Sequence, residues 1–207
     1  MKVIRRPLKS RGNSWAVWAA QWLARVPVRP NYISLGSVVF AVAAGLSMLM
    51  EFYLASAVLI QLRLLCNLLD GMVAIEGGLK SKSGEVYNDL PDRISDAVIL
   101  ILAGYSLSWP AWSRELGWIA ALLAVMTAYA RVLGGAVGLA QDFSGPMAKP
   151  HRMAVLTAGC IGAAVESAFG ASPRSLAVAL GIIVIGSAAT MVRRTVRIVH
   201  QLESSSS

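Results

Sequence analysis

Two short stretches of this 207-residue chain carry oxygen-bearing side chains at helical spacing. The first contains Asn67 and Asp70, and the second contains Asn88, Asp92 and Asp96. Six of the eleven acidic residues fall in or between these stretches, although the surrounding sequence is apolar. Ionisable groups are costly inside a membrane and usually serve a function there. Oxygen ligands from two helix ends suit a hard divalent cation, Mg²⁺ or Mn²⁺, which would in turn bind phosphate oxygens.

The first stretch predicts one polar face on a helix. Arg63, Asn67 and Asp70 follow one another at i, i+4 and i+7 and therefore share that face. Gly71 and Ala74 remove bulk beside the carboxylate. Small residues at this place allow a ligand or a second helix to approach the backbone.

The second stretch predicts another polar face. Asn88, Asp92 and Asp96 step along it at i, i+4 and i+8, and Asp89 lies within about one turn of it. Proline lacks an amide hydrogen and is best tolerated in the first turn of a helix, so Pro91 predicts that this helix begins close to Asn88.

A structural interpretation of the same residues remains open. Asn88 and Asp89 could cap a helix. Asp92 could form an ion pair with Arg93 or Arg63. Each assignment is reasonable for one residue, but the clustering of all the carboxylates favours a metal site.

The composition indicates an all-helical integral membrane protein of one domain. Hydrophobic residues make up 56% of the chain and charged residues 14%, with a mean hydropathy of +0.61. A soluble domain carries roughly twice that share of charge. Six apolar segments approach the ~20 residues that cross a hydrocarbon core. They are 33–50, 54–75, 88–106, 116–139, 153–169 and 175–192.

Basic residues outside these segments predict the topology. With six spans both termini share one side, and that side receives nearly all of the basic residues, whereas Arg114 and Arg174 fall on the other. The positive-inside rule then places the termini and the polar loops in the cytosol. The net charge of +8 is concentrated at the two ends of the chain, which favours anionic lipid as its partner and not nucleic acid.

The ends of the chain differ from its body. Residues 1–30 form a basic segment in which Trp15, Trp18 and Trp22 recur at helical spacing, which predicts an interfacial helix, although a basic tail with scattered tryptophans is the alternative. Residues 31–197 form the six-helix domain, and residues 198–207 are predicted to be a disordered tail. Cys66 and Cys160 lie in separate apolar segments and are assigned to packing.

The two polar stretches together resemble the signature of the CDP-alcohol phosphotransferase family. That signature is D-x-x-D-G-x-x-A-R, eight residues, and then G-x-x-x-D-x-x-x-D. The positions that match with intact spacing are Asp70, Gly71, Ala74, Gly84 and Asp92. The positions that depart from it are Asn67 for the first Asp, Ile75 for the Arg and Asn88 for the third Asp. Six spans, an amphipathic N-terminal helix and the Pro30-Asn31 lead-in are also similar to the family.

The resemblance implies a reaction. A CDP-linked lipid, usually CDP-diacylglycerol, donates its phosphatidyl group to the hydroxyl of a small alcohol, and CMP leaves. It implies that Asp70 is a metal ligand and that Asp92 is both ligand and general base. Asn67 and Asn88 would occupy ligand positions through neutral oxygens, which lowers metal affinity or limits the site to one ion, so that one or two Mg²⁺ or Mn²⁺ ions are expected. Asp89 and Asp96 are further candidate ligands. The resemblance also implies that Gly71, Ala74 and Gly84 line the donor site, and that the protein is a homodimer.

Basic side chains are candidates for phosphate binding. Lys80 and Lys82 could replace the missing arginine at position 75, or could be ordinary loop charges. Arg131, Lys149 and Arg152 are candidates for binding phosphate on donor or acceptor.

Three functions follow from these patterns. The first is a metal-dependent phosphatidyltransferase of a bacterial inner membrane with its site facing the cytosol. The second is an inactive family member that binds CDP-lipid or a partner protein, which the three departures from the signature motivate. The third, a small cation transporter, is disfavoured because the polar residues cluster toward one side.

Overall fold

The structure, a computed structural model, describes residues 30–76 and 84–205, together with residues 18 and 22. These residues form six long α-helices and no strand. The helices are α1 (Pro30–Leu49), α2 (Tyr53–Glu76), α3 (Gly84–Tyr105), α4 (Ser113–Ala136), α5 (Lys149–Ala168) and α6 (Arg174–Ser205). Each predicted span therefore corresponds to a helix.

The six helices form a closed ring. Helix α1 packs between α2 and α3, α4 packs between α3 and α6, and α5 closes the ring between α6 and α2. Consecutive helices run in opposite directions, so the end of α2 and the starts of α3 and α5 meet at one end of the bundle. The polar stretches predicted from sequence lie on these three helices, and the ring brings them together.

Small residues allow the helices to approach closely. Where α3 crosses α4, a Cβ atom on Gly117 would lie 2.8 Å from the carbonyl oxygen of Leu100, and one on Gly104 would lie 2.6 Å from that of Ser113. Because backbone cannot move aside as a flexible side chain can, only glycine fits at both positions. This contact fixes the lateral position of α3, which carries the acidic residues.

Four of the helices are long and apolar enough to cross a membrane: α1, α2, α4 and α6. Helices α3 and α5 are of similar length but carry the charged side chains described below. Their polarity therefore reflects buried ion pairs inside the ring.

Two boundaries differ from those predicted. Helix α3 begins at Gly84 and not near Asn88, so Pro91 lies inside the helix. Its missing amide hydrogen leaves the carbonyl of Tyr87 without the usual helical donor. Helix α6 continues to Ser205, beyond the predicted boundary at residue 197. Most of the predicted interfacial helix lies outside the described residues. Of this segment, Trp18 and Trp22 are described, and both are helical and exposed.

Candidate functional site: a buried cluster of carboxylates and basic side chains

Asp92 lies at the centre of the polar cluster and is 7% exposed. Its Oδ1 accepts hydrogen bonds from Arg63 at 3.1 Å and from the side-chain amide of Asn67 at 2.5 Å. Its Oδ2 accepts a hydrogen bond from the ammonium group of Lys149. Three helices thus meet at one carboxylate, since Arg63 and Asn67 belong to α2 and Lys149 begins α5.

One turn further along α3, Asp96 forms a second pair of ionic contacts. Arg63 Nη2 lies 2.7 Å from Asp96 Oδ1, and Arg152 Nη2 lies 3.1 Å from Asp96 Oδ2. Arg152 also donates to the hydroxyl of Thr127 and the carbonyl of Met147. Both guanidinium groups are fully buried. Buried charges are costly to desolvate, so such a network persists only where the charges satisfy one another.

Asp70 is held at the same end of the bundle by α1. Its Oδ2 accepts a hydrogen bond from Ser34 Oγ at 2.5 Å. Its Oδ1 is buried and receives no hydrogen bond of normal geometry, although the backbone amide of Gly71 interacts with the carboxylate. Asp70 lies close enough to Asp92 and Lys149 to interact with both electrostatically. This oxygen is therefore the carboxylate position best placed to accept a cation.

Asp89 lies at the edge of the cluster. Its carboxylate pairs with Arg131 of α4 at 2.7 Å and with Arg93, one turn ahead in α3, at 3.0 Å. Asp89 and Asp96 were predicted as replacement metal ligands. In the structure both carboxylates are engaged by arginines.

The remaining candidate residues are distributed around this cluster. Asn88 is half-buried one turn before Asp92, Gly71 is buried beside Asp70, and Gly84 is the first residue of α3. Ala74 and Ile75 lie in the last turns of α2. Lys80 and Lys82 lie outside the described residues.

These residues fit one divalent cation better than two. Among the described residues, no three His, Cys, Asp or Glu side chains form a group arranged to hold a metal. Both oxygens of Asp92 are engaged, and Asn67 donates its amide hydrogen to that carboxylate. The orphaned Oδ1 of Asp70 remains, and the amide oxygens of Asn67 and Asn88 are neutral candidate ligands.

Arg63 and Ser34 contribute to the cluster although neither was predicted as a site residue. Arg63 carried a signal, because it shares the helical face of Asn67 and Asp70 inside an apolar segment. Ser34 carried none, since a serine near a helix start is common and its partner is 36 residues away.

A polar pocket of about 460 Å³ opens beside the cluster, between α4, the α4–α5 loop and α6. The polar residues that line it include Arg131, Gln141, Asp142, Arg194, Arg197 and His200. Arg131 connects the pocket to the cluster, because it contacts both Gln141 and Asp89.

The loop that borders the pocket is fixed to α6. Arg194 donates to the Ser144 carbonyl, and Arg197 pairs with Asp142 at 3.0 Å. Burial alone would raise the pKa of Asp142, but hydrogen bonds from Ser144 and the contact with Arg197 lower it. Asp142 is therefore a carboxylate at neutral pH. The lining contains three arginines and one carboxylate, that of Asp142. Asp89 offsets Arg131, so the lining keeps a net charge of about one positive, which suits an anion.

Comparison with known proteins gives the chain its family. The family model for CDP-alcohol phosphatidyltransferase matches residues 27–194. Phosphatidylinositol phosphate synthase of Mycobacterium tuberculosis is 27% identical over 180 residues, which cover 84% of this chain and 81% of that protein. Inner membrane protein YnbA of Escherichia coli is 24% identical over 135 residues, 63% of this chain and 66% of that protein, just under two thirds of its length.

Solved structures of the mycobacterial synthase share the fold. The structure with CDP-DAG bound has a TM-score of 0.75 and 25% identity, and covers 88% of this chain and 92% of that one. The structure in complex with manganese and citrate has a TM-score of 0.78 and 23% identity, and covers 88% of each chain. The family match spans most of the sequence, so this chain belongs to the CDP-alcohol phosphatidyltransferase family, as the signature predicted.

Proposed function

We propose that this member of the CDP-alcohol phosphatidyltransferase family transfers a phosphatidyl group from a CDP-linked lipid to a small alcohol. The observation that carries the proposal is the meeting of α2, α3 and α5 at Asp92. The position of Asp92 matches the last aspartate of the family signature. The related synthase whose structure contains CDP-DAG supports a diacylglycerol-bearing donor.

In this proposal Asp92 acts as general base. It takes the proton of the acceptor hydroxyl, the acceptor oxygen forms a bond to the phosphorus of the phosphatidyl group, and the bond from that phosphorus to CMP breaks. Lys149 must leave Oδ2 for the proton to reach it. Arg63 stays on Oδ1 and holds the carboxylate in place.

A single Mg²⁺ or Mn²⁺ is the proposed cofactor, held by Asp70 with Asn67 and Asn88. When bound, it would neutralise the charge of the donor diphosphate. The manganese in the related synthase supports this choice of metal, and the orphaned Asp70 Oδ1 supports its place.

The polar pocket supports an acceptor that carries a phosphate. Arg131, Arg194 and Arg197 surround a volume adequate for a phosphorylated polyol. Inositol phosphate is the first acceptor to test, given the related phosphatidylinositol phosphate synthase. Lys149 and Arg152 are further candidates for binding phosphate, and in the structure they contact Asp92 and Asp96.

The proposal includes a setting for the protein. Six spans cross a bacterial inner membrane, with both termini and the cluster on the cytosolic side. The basic residues at that end of the bundle support this orientation. A homodimer also remains a proposal.

An inactive, CDP-lipid-binding member is the second candidate. The observation that favours it is the occupation of both Asp92 oxygens by neighbouring side chains. A cation transporter gains no support, because the buried charges of the described residues extend only from one end of the bundle to about its middle.

The decisive experiment is CMP release by the purified protein with CDP-diacylglycerol, Mn²⁺ or Mg²⁺, and a panel that pairs each alcohol with its phosphate. Asp92→Asn should lower the rate by about 10²–10⁴-fold. Glu115→Gln is the matched control, since it neutralises an exposed carboxylate at the other end of the bundle. Binding of CDP-lipid without release of CMP across the panel would favour the inactive member.

A further inference from the structure

We propose that the ammonium group of Lys149 is a tethered cation that occupies Asp92 Oδ2 and competes with a divalent ion for the cluster. This proposal rests on the proposed function only in its assumption that a divalent ion binds there. It assigns to Lys149 a role in controlling metal occupancy, separate from phosphate binding.

The position of Lys149 supports the assignment. It is the first residue of α5, and Pro150 follows it in the first turn, so its backbone is fixed close to the cluster. Its ammonium group contacts Asp92 and lies near enough to Asp70 and Asp96 to interact with both electrostatically. Helix α5 does not depend on this contact, since Arg152 already fixes it to α3 and α4.

The charges of the inner cluster balance without a metal. Its carboxylates are those of Asp70, Asp92 and Asp96, and its basic side chains are those of Arg63, Lys149 and Arg152. A divalent ion would add two positive charges in a weakly polar environment, where repulsion between cations is strong. One basic side chain must therefore withdraw when the ion enters.

Lys149 is the side chain that is able to withdraw. Both arginines are buried completely, and each bridges two or more partners. The Lys149 side chain is 20% exposed and forms one ion pair. Its flexible aliphatic chain can move the ammonium group toward solvent, whereas a buried guanidinium group has no solvated position within reach.

The test is the affinity of the purified full-length protein for Mn²⁺, measured in detergent by the paramagnetic resonance signal of free Mn²⁺. No donor or acceptor is added, so the result does not depend on turnover. Lys149→Gln and Lys149→Met both remove the charge and should lower the Kd for Mn²⁺ by at least about tenfold. Two neutral variants are used so that a folding defect in one leaves the other informative.

Matched controls separate this role from a general effect of charge. Arg197→Gln removes the same charge from a pair outside the cluster and should leave the Kd within about twofold of the wild-type value. Lys149→Arg retains the charge and should not bind Mn²⁺ more tightly. If both neutral variants bind Mn²⁺ no more tightly than the wild-type protein, or if Arg197→Gln gains as much affinity as they do, the proposal is wrong. Absence of CMP release alone would count against the proposed function and leave this one intact.

Discussion

Asn67 donates a hydrogen bond from its side-chain amide to Asp92 Oδ1 at 2.5 Å. In the family signature the first of these positions is an aspartate, and two carboxylates at this distance would repel unless a cation lay between them. Asn67 avoids this repulsion, so that Arg63 and Lys149 can neutralise Asp92 without a metal ion. With an amide in place of one carboxylate, the inner cluster contains as many basic side chains as carboxylates without a metal.

The first prediction is that Asn67→Asp makes the protein depend on metal for stability. The variant loses the hydrogen bond to Asp92 and gains a like charge beside it, so it should melt at a lower temperature than the wild-type protein in EDTA. Added Mn²⁺ should stabilise the variant by about 1–2 kcal/mol more than the wild-type protein, the equivalent of roughly tenfold tighter binding.

Thermal unfolding in detergent, with EDTA or with Mn²⁺, measures both effects. Gln201→Glu is the control, because it makes the same amide-to-carboxylate change at an exposed position on α6. If Mn²⁺ stabilises the Asn67→Asp variant no more than the wild-type protein, the prediction is wrong. The amide of Asn67 would then not be what allows the cluster to form without a metal.

The helices and the polar faces were predictable from the sequence because both depend on local spacing. Apolar segments of about 20 residues defined the helices. The intervals between Asn67 and Asp70, and between Asn88 and Asp96, placed polar residues on single faces. Helix α3 begins at Gly84, earlier than the prediction near Asn88, because the preference of proline for a first turn does not decide where this helix starts. In the structure the helix accommodates the proline in its third turn.

The partners of the carboxylates were not predictable in the same way, since ion pairs between distant segments depend on the order of helices in the ring. Arg152 of α5 contacts Asp96 of α3 because the ring places α5 beside α2, with its first turn facing α3. Lys149 was interpreted as a phosphate ligand, and nothing local in the sequence directs it to Asp92. Both contacts form because charges buried in the folded ring must pair to offset the free energy of desolvation. That cost depends on the tertiary structure and not on local sequence.

A second prediction concerns the buried pair between Arg152 and Asp96. Arg152→Gln leaves Asp96 with one guanidinium partner and leaves the Thr127 hydroxyl and the Met147 carbonyl without this donor. The loss should be about 3–5 kcal/mol, as expected when one partner of a buried pair is removed. Unfolding by SDS in mixed micelles measures it.

The comparison for Arg152 is an exposed pair. Arg197 Nη1 lies 3.0 Å from Asp142, but the Arg197 side chain is 42% exposed. Arg197→Gln should therefore cost no more than about 1 kcal/mol. Equal losses in the two variants would mean that the inner pair is hydrated and that burial does not determine its strength.

A third prediction tests the close contact of α3 with α4. Gly117→Ala places a methyl group 2.8 Å from the carbonyl oxygen of Leu100, which forces the two helices apart. The expected destabilisation is about 1–3 kcal/mol, greater than the gain in helix propensity from alanine. Gly181→Ala is the control, because a Cβ atom there meets nothing within 4 Å. Unfolding by SDS should separate the two variants, and a Gly117→Ala variant as stable as Gly181→Ala would show that this contact does not limit the packing.

The last prediction concerns the choice of acceptor. If the pocket holds the phosphate of the acceptor, Arg197→Gln should raise the KM for a phosphorylated acceptor by about ten- to a hundredfold, because a charge-assisted hydrogen bond contributes roughly 1.5–3 kcal/mol. The kcat should change little, since Arg197 lies outside the cluster around Asp92. The KM for the matching unphosphorylated alcohol should also stay the same. A variant that weakens both acceptors equally would instead indicate that Arg197 acts by holding the α4–α5 loop through Asp142 and Ser144, and that the acceptor phosphate binds elsewhere.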